Sequence, residues 1–234
     1  MSEKVTFKPG TMLNPVPAVM VSCGSTEEEH NIITIGWTGI INSEPPMTYV
    51  SIRRNRHSHK IVEKNGEFVI NLTTEALVKA TDWCGVRSGR DEDKFQAMGL
   101  TKMECDHVKC PMIGESPVNL ECKVVEQKVY GTHDMFIAEI VAVHVNKELM
   151  DENDRFCLEK AGLICYSHGH YYGLQEKPLG RFGYSVMKPK TAKKIKGQER
   201  QNARKQFMAK ATSKFKGEGK DAKKGAPKKN RKKK

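Results

Sequence analysis

The sequence lacks several features that would place it in a familiar class at once. No stretch approaches the roughly 20 consecutive apolar residues that a transmembrane helix needs. The N-terminal segment MSEKVTFKPG has no apolar core of the kind found in signal peptides. No GxGxxG or Walker-type loop is present, so a Rossmann dinucleotide domain is not expected. These absences predict a cytoplasmic protein that does not associate with membranes.

Cysteine is present, but its pattern does not favour disulfides or a metal site. The chain has seven cysteines, an odd number at irregular spacing, which argues against a disulfide framework. Cys105, His107 and Cys110 lie close together, yet a structural zinc site needs a fourth ligand and usually a second close pair. We therefore predict no metal site. Cys84 is interpreted as a buried, inert thiol, and redox activity of Cys84 or of the Cys105–Cys110 segment stays open.

Charge is divided sharply along the chain. Residues 188–234 contain 20 Lys or Arg and three acidic residues, whereas residues 1–187 contain 20 basic and 25 acidic residues. The formal net charge of +12 therefore comes from the tail, and the body is mildly acidic. With few large apolar side chains, the tail cannot bury enough surface to offset the entropy of ordering. We predict a folded domain over residues 1–187 and a disordered Lys/Arg-rich tail over residues 188–234.

Short apolar runs separated by turn residues dominate the body. Such runs cover Val16–Cys23, Ile32–Thr38, Met47–Arg53 and Phe68–Leu72, and two longer β-rich segments, Pro117–Tyr130 and Met135–Val145, follow. Helical patterns are few and short; one of them predicts a helix over Asp91–Met98 that ends at Gly99. Many strands with local turns favour a mainly β, closed antiparallel barrel with Greek-key-like connections over alternating strands and helices.

The stretch from Asn31 to Lys60 has the clearest functional pattern. Arg53, Arg54, Arg56 and Lys60 crowd its end, and Ser58 is placed to cap a short helix. A helix start beside arginines is a good anion site, because free backbone N–H groups and guanidinium donors converge there. A solvated basic strand end gives the same pattern, so both interpretations stay open from these residues alone.

The motifs of the body resemble the flavin-reductase-like, FMN-binding split-barrel family, in its flavoredoxin branch. The resemblance covers nearly all of residues 10–187 in order. It is carried by TIGWT at 34–38, Pro45-Pro46, Arg56-His57-Ser58, GEFVINL at 66–72, CGVRSGRD at 84–91, DKF at 93–95, ESPVNLEC at 115–122, HDMF at 133–136, YSHG at 166–169 and LGRFGYS at 179–185.

The resemblance implies an FMN-binding split β-barrel and assigns roles to particular residues. Thr34, Gly36, Trp37, Thr38 and Gly39 are expected along the flavin, where the two glycines would let the backbone approach a planar ligand. By residue type alone Trp37 belongs more often to a barrel core, and the resemblance reverses that expectation. Non-covalent FMN would have its phosphate held by Arg56 and Ser58, with Ser88 and Lys94 nearby. The family also implies a homodimer with FMN near the interface.

Two classes of function follow. The first is a redox protein that uses FMN. As a flavin reductase it would take electrons from NAD(P)H, and as a flavoredoxin-like carrier it would take them from a redox protein partner. Neither activity needs an acid–base residue, so no catalytic side chain is predicted. The alternative is a protein that binds nucleic acid or another acidic surface through its tail, with the barrel as scaffold. Such binding would be non-specific and steeply weakened by salt.

Overall fold

The protein is described from a computed structural model. The structure describes residues 2–175, 177–195, 197–198, 200–201, 204 and 208. Contacts divide the chain into two units, the first ending at residue 176 and the second beginning at residue 177. In the second unit residues 189–195 are helical, and most of the predicted disordered tail lies outside the described residues. The predicted domain boundary at residue 187 stays a prediction.

The first unit is mainly β-structure with a few short helices. Its strands are β1 Val16–Pro17, β2 Val19–Cys23, β3 Asn31–Ile35, β4 Thr38–Ser43, β5 Pro46–Arg53, β6 Glu67–Leu72, β7 Lys102–Met103, β8 Met112–Ile113, β9 Val118–Tyr130, β10 His133–Val145, β11 Ile164–Ser167 and β12 His170–Gly173. Its α-helices are α1 His57–Asn65, α2 Val78–Val86 and α3 Lys94–Met98, and 3-10 turns cover Glu27–Glu29, Glu75–Leu77, Lys147–Leu149 and Leu158–Lys160.

Seven of these strands form one antiparallel sheet that curls back on itself. Their order is β3-β2-β6-β9-β10-β5-β4. The two edge strands, β3 and β4, are consecutive in the chain and joined by only Gly36 and Trp37. Two residues cannot span a flat seven-stranded sheet, because neighbouring strands lie about 4.8 Å apart. The edges must therefore meet at this turn. The backbone N–H of Ser51 donates to the carbonyl of Trp37 at 2.9 Å, which extends the β4–β5 pairing into the turn.

The inside of the curled sheet is the main hydrophobic core. Along β5 the side chains alternate, with Thr48, Val50 and Ile52 buried and Ser51 and Arg53 on the opposite face, as the two-residue period of a strand requires. Phe68 and Phe136 fill the interior, and helix α1 covers one end of it with Ile61 and Val62. A second cluster packs α2 and α3 against the outside of β2 and β3.

The predicted mainly β, antiparallel fold is confirmed, and three local predictions need correction. The apolar run over Ile32–Thr38 is not one strand, since the chain turns at Gly36-Trp37. The helix predicted over Asp91–Met98 begins later, because Asp93 caps it by accepting from the Gln96 backbone N–H at 3.1 Å. Ser58 is not the helix cap: Arg56 holds that position, and Ser58 lies in the first turn of α1. Among the described residues, no helix has the length and apolar character needed to cross a membrane.

Candidate functional site

A large cavity of the first unit lies along the seam between the sheet edges. It has a volume of about 750 Å³, within the range of about 300–1,000 Å³ typical of small-molecule sites. Thr34, Gly36 and Trp37 form one wall, and Ser51 and Arg53 reach it from the outer face of β5. Further lining comes from Thr11–Asn14 of the N-terminal segment, from Asp82, Gly85 and Val86 of α2, from His133, and from Tyr166, His168 and Tyr171.

A smaller and more polar cavity of about 170 Å³ continues from the large one. Ile33, Arg56 and Gly85 line both, so the two form one elongated cleft. The small cavity lies between the start of α1 and the loop after α2, and it is lined by Asn31, Asn55, His57, Ser58, Arg87, Ser88, Arg90 and Lys94. None of these described lining residues is acidic, so this end of the cleft has the composition of an anion site.

The positive charge in the small cavity changes the titration of its own side chains. Burial lowers the pKa of His57, and the charges of Arg90 and Lys94 lower it further. Burial also lowers the pKa of Lys94, with a further contribution from Arg56. Within the described residues, the arginines that form ion pairs are Arg54 and Arg155. Arg56, Arg87 and Arg90 therefore surround the cavity without a carboxylate partner.

The start of α1 lines this cavity with its first residues, His57 and Ser58. The chain turns between β5 and the helix with the Arg56 N–H donating to the Arg53 carbonyl at 3.0 Å. Arg56 then takes the cap position with extended backbone and makes no side-chain cap. The N–H groups of a helix's first turn lack intrahelical partners and attract anions. Ser58 is buried and accepts a hydrogen bond from Asn31 Nδ2 at 2.7 Å, which fixes its position on the cavity wall.

Lys94 is buried and joins two elements of the site. Its Nζ donates to the carbonyls of Ile32 and Cys84, both at 2.7 Å, and so ties β3 to α2. An ammonium group has three donors, so one N–H remains for the cavity that Lys94 lines. Ser88 lines the same cavity and accepts from the Arg90 backbone N–H at 3.2 Å. Arg56, Ser58, Ser88 and Lys94 therefore line one cavity, and their part in binding a phosphate stays a prediction.

The residues predicted along the flavin divide into two groups. Thr34, Gly36 and Trp37 line the large cavity, and the Thr34 hydroxyl donates to the Thr81 carbonyl of α2. Thr38 and Gly39 line neither cavity. The Thr38 hydroxyl donates to the Tyr49 carbonyl at 2.5 Å, and a Cβ at Gly39 would lie 3.2 Å from the Tyr49 ring. Gly39 therefore serves the β4–β5 pairing in this structure.

Trp37 lines the wall of the cleft and does not belong to the barrel core. Its side chain is 44% exposed, and its ring lies 4.5 Å from the His133 ring, centroid to centroid. Burial lowers the pKa of His133, and the charge of Arg53 lowers it further. A neutral imidazole beside an indole makes this wall flat and mostly apolar, which suits a planar aromatic ligand.

A further wall of the large cavity is formed by Asp82, Tyr166 and Tyr171, which are not among the site residues predicted from the sequence. Tyr171 O–H donates to Asp82 Oδ1 at 3.3 Å, and the rings of Tyr166 and Tyr171 meet edge to face at 5.4 Å. His168 lines the same wall with a positive φ of 47°, an uncommon conformation for a residue with a side chain. Residues 82 and 171 are far apart in sequence, so no local pattern signals their contact.

The cysteines of the body are buried or half-buried thiols. Burial raises the pKa of Cys84, on the wall of the small cavity, to about 11, against the opposing effect of Lys94. Burial and the charge of Glu121 raise the pKa of Cys105 to about 12, and burial raises that of Cys110 further still. These thiols are protonated at neutral pH, the form that is a poor nucleophile and a poor metal ligand.

Comparison with known proteins identifies the class to which this fold and cleft belong. The family model described as "Flavin reductase like domain" matches residues 12–175, and the chain belongs to that family. Its fold is similar to flavoredoxin of Desulfovibrio vulgaris (Miyazaki F), with a TM-score of 0.72 at 28% identity over 78% of this chain and 100% of that one.

Two curated relatives extend the comparison to sequence. A protein of Archaeoglobus fulgidus with no assigned function is 35% identical over 116 residues, which are 50% of this chain and 66% of that protein. The FMN reductase (NADH) RutF of Agrobacterium fabrum is 28% identical over 120 residues, again 50% of this chain and 66% of that protein. The chain thus matches about two thirds of the length of each.

Proposed function

We propose that the first unit binds FMN non-covalently in the elongated cleft and uses it as a redox centre. The observation that carries this proposal is the continuity of the two cavities through Arg56. One end is cationic and of phosphate size, and the other is wide, flat-walled and mostly uncharged. FMN has this same asymmetry, with a phosphate at one end and a planar ring system at the other.

The residues present at the narrow end fit a phosphate. Arg56 and Ser88 supply side-chain donors, the first amides of α1 supply backbone donors, and Arg87, Arg90 and Lys94 supply further positive charge. Charge-assisted hydrogen bonds of this kind are about twice as strong as neutral ones. Ser58, tied to Asn31, completes the wall.

The wide end fits the ring system through backbone groups and flat side chains. The Thr34–Trp37 segment brings its backbone to the cavity, and at Gly85, where the two cavities join, a Cβ would lie 3.2 Å from the Thr34 Cβ. A side chain there would press against Thr34, so glycine lets α2 lie close to the β3 wall of the cleft. Bound FMN supplies hydride and single-electron transfer, and the protein supplies its position and electrostatic surroundings.

Tryptophan fluorescence offers a direct measurement of this binding. The chain has two tryptophans; Trp37 lines the cleft and Trp83 packs against the α2–α3 cluster. We expect FMN to quench the Trp37 part of the emission in a saturable titration, because the flavin ring would lie against that wall. In Trp37→Phe the quenching is reduced to the part due to Trp83. The variant should still bind one FMN per chain, measured as the FMN released on denaturation. A protein that stays colourless and takes up no FMN contradicts the proposal.

The electron donor is proposed to be NAD(P)H or an acidic redox protein. Arg53, Arg87 and Arg90 stand at the cleft without carboxylate partners among the described residues, and they suit either the phosphates of a dinucleotide or the carboxylates of a carrier. Anaerobic addition of NADH and of NADPH separates the two. Bleaching of the flavin by either nucleotide indicates a reductase, and no bleaching indicates a flavoredoxin-like carrier.

A homodimer is part of the same proposal. Trp37, Ile40 and Ile41 leave an exposed apolar strip along β4 beside the cleft, with exposed fractions of 44%, 70% and 47%. Exposed apolar strips of this kind mark interaction surfaces, and light scattering of the FMN complex measures whether its mass is that of a dimer.

We place the protein in the cytoplasm, supported by seven cysteines that are all free thiols.

The tail is proposed to bind acidic surfaces, RNA among them, as a second activity. Its support is the excess of 20 basic over three acidic residues after residue 187. A chain ending at residue 187 should bind FMN with unchanged affinity and lose RNA binding measured at low salt. In the full chain RNA affinity should fall steeply with added salt, since phosphate contacts release counterions. Loss of FMN from the shortened chain would show instead that the tail belongs to the flavin site.

A further inference from the structure

A buried carboxylate holds the phosphate-binding turn from both sides. Asp134 lies on β10, next to His133 of the cleft wall, and its side chain is only about 4% exposed. Its Oδ1 accepts from Arg54 Nε at 2.8 Å, two residues before Arg56. Its Oδ2 accepts from His59 Nε2 at 2.9 Å, three residues after Arg56. One side chain thus fixes both ends of the turn that presents Arg56 and the first amides of α1.

The carboxylate is fully satisfied as an anion. Gln127 Nε2, from β9, adds a third hydrogen bond to Oδ2 at 3.1 Å. Burial alone would raise the pKa of Asp134, but the hydrogen bonds from Arg54, His59 and Gln127 hold it below the usual value. Because an ionised carboxylate only accepts, His59 must carry its proton on Nε2. The His59 ring also meets the Phe136 ring edge to face at 5.2 Å, which packs it against the core.

We propose that Asp134, through His59 and Arg54, is a positioning residue for the phosphate of FMN. This rests on the proposed function and names a residue that reaches the cleft only through others. Asp134 lines neither cavity, and its negative charge opposes the binding of a nearby anion. Its contribution to FMN affinity must therefore come from holding the geometry of residues 54–59, since its charge acts in the opposite direction.

The charge of Asp134 and its positioning role predict opposite changes in FMN affinity, so the direction of the change distinguishes them. If Asp134 acted only by charge, Asp134→Asn would tighten FMN binding, because a negative charge near the phosphate is removed. If Asp134 positions the turn, the variant weakens FMN binding by about tenfold, since the amide cannot accept from Arg54 and His59 together. Riboflavin has the same ring system and no phosphate, so its affinity should be unchanged.

The measurement is the dissociation constant of the full-length variant for FMN and for riboflavin. Glu63→Gln is the matched control, because it removes a negative charge from α1, the helix that carries His59. The Glu63 carboxylate lies 4.0 Å from Nδ1 of His59. This variant should bind FMN with equal or slightly higher affinity. Arg54→Lys keeps the positive charge but loses the guanidinium bond to Asp134. Arg54 is half-exposed, so Arg54→Lys provides a second test if Asp134→Asn does not fold. This variant should also weaken the binding of FMN and leave the binding of riboflavin unchanged.

Selective loss of FMN affinity in both variants, with riboflavin unchanged, supports the proposal. Equal loss for FMN and riboflavin overturns it, because that result indicates a general role in folding. Unchanged or tighter FMN binding overturns it as well. Failure of the unmodified chain to bind FMN would instead refute the proposed function, so the two ideas fail separately.

Discussion

Arg56→Ala should raise the dissociation constant for FMN by about 10- to 100-fold, because a hydrogen bond to a charged group contributes about 1.5–3 kcal/mol. Arg56 is one of three residues that line both cavities, and it holds the N-cap position of α1, whose first residues line the narrow end of the cleft. Removing it leaves the cleft open and the remaining cations in place. The loss is therefore partial, and the protein should still fold.

A comparison of the affinities for FMN and riboflavin shows which group of FMN Arg56 binds. Riboflavin affinity should be unchanged, since riboflavin has no phosphate. Arg56→Lys should lie between the wild type and the alanine variant, because an ammonium keeps the charge without the paired donors of a guanidinium. Arg181→Ala, at an exposed arginine of the second unit, is the matched control. If the wild type and Arg56→Ala retain FMN equally in fluorescence titrations, Arg56 is not at the phosphate.

The cationic end of the cleft could be predicted from sequence because its signal is local. Arg56 and Ser58 are neighbours in the chain, and the helix that begins there is predictable from the same few residues. The geometry still differs in one respect, since Arg56 rather than Ser58 holds the cap position. The wide end could be predicted only in part, because the apolar run over Ile32–Thr38 hides the turn at Gly36-Trp37. That turn becomes evident only once β3 and β4 are known to be opposite edges of one sheet.

Long-range contacts set the limit on what the sequence shows. Tyr171 meets Asp82 and Asp134 meets His59 across large separations in the chain, and no spacing rule connects them. The segment around Cys105–Cys110 is a second case. Its thiols and imidazole attract attention as ligands, whereas the structure organises the segment around Glu121, a residue of β9 with no local motif.

Glu121 is the buried charge on which that segment depends. Its side chain is fully buried. Oε1 accepts from the Asp106 N–H at 2.8 Å and from His144 Nε2 at 2.5 Å, and Oε2 accepts from the N–H groups of His107 and Val108 at 2.6 and 3.0 Å. Burial opposes ionisation, but the hydrogen bonds from His144 and these amides outweigh it and lower the pKa of Glu121. All four contacts need an acceptor.

Glu121→Gln should therefore lower the free energy of unfolding at pH 7 by about 3 kcal/mol, because either orientation of the amide turns its NH₂ group toward a pair of hydrogen-bond donors at a buried position. The loss should depend on pH. A carboxylate whose pKa is lowered in the folded state stabilises the fold fully above its unfolded pKa of about 4.3, and this stabilisation disappears as the pH falls through the folded pKa. The wild type then loses stability that the variant never had, so the difference between them shrinks below about pH 4.

Urea unfolding of both proteins between neutral and acid pH measures this difference. Glu104→Gln, at an exposed position of the same segment, is the control and should change stability little at any pH. A difference that stays constant as the pH falls would mean that Glu121 acts through shape rather than charge. The segment it organises packs against Val69 of β6 and Val141 of β10, and none of the residues in this cluster lines the cleft. FMN affinity of the folded variant should therefore be unchanged. Stability and cofactor binding are thereby assigned to two separate buried carboxylates, Glu121 and Asp134.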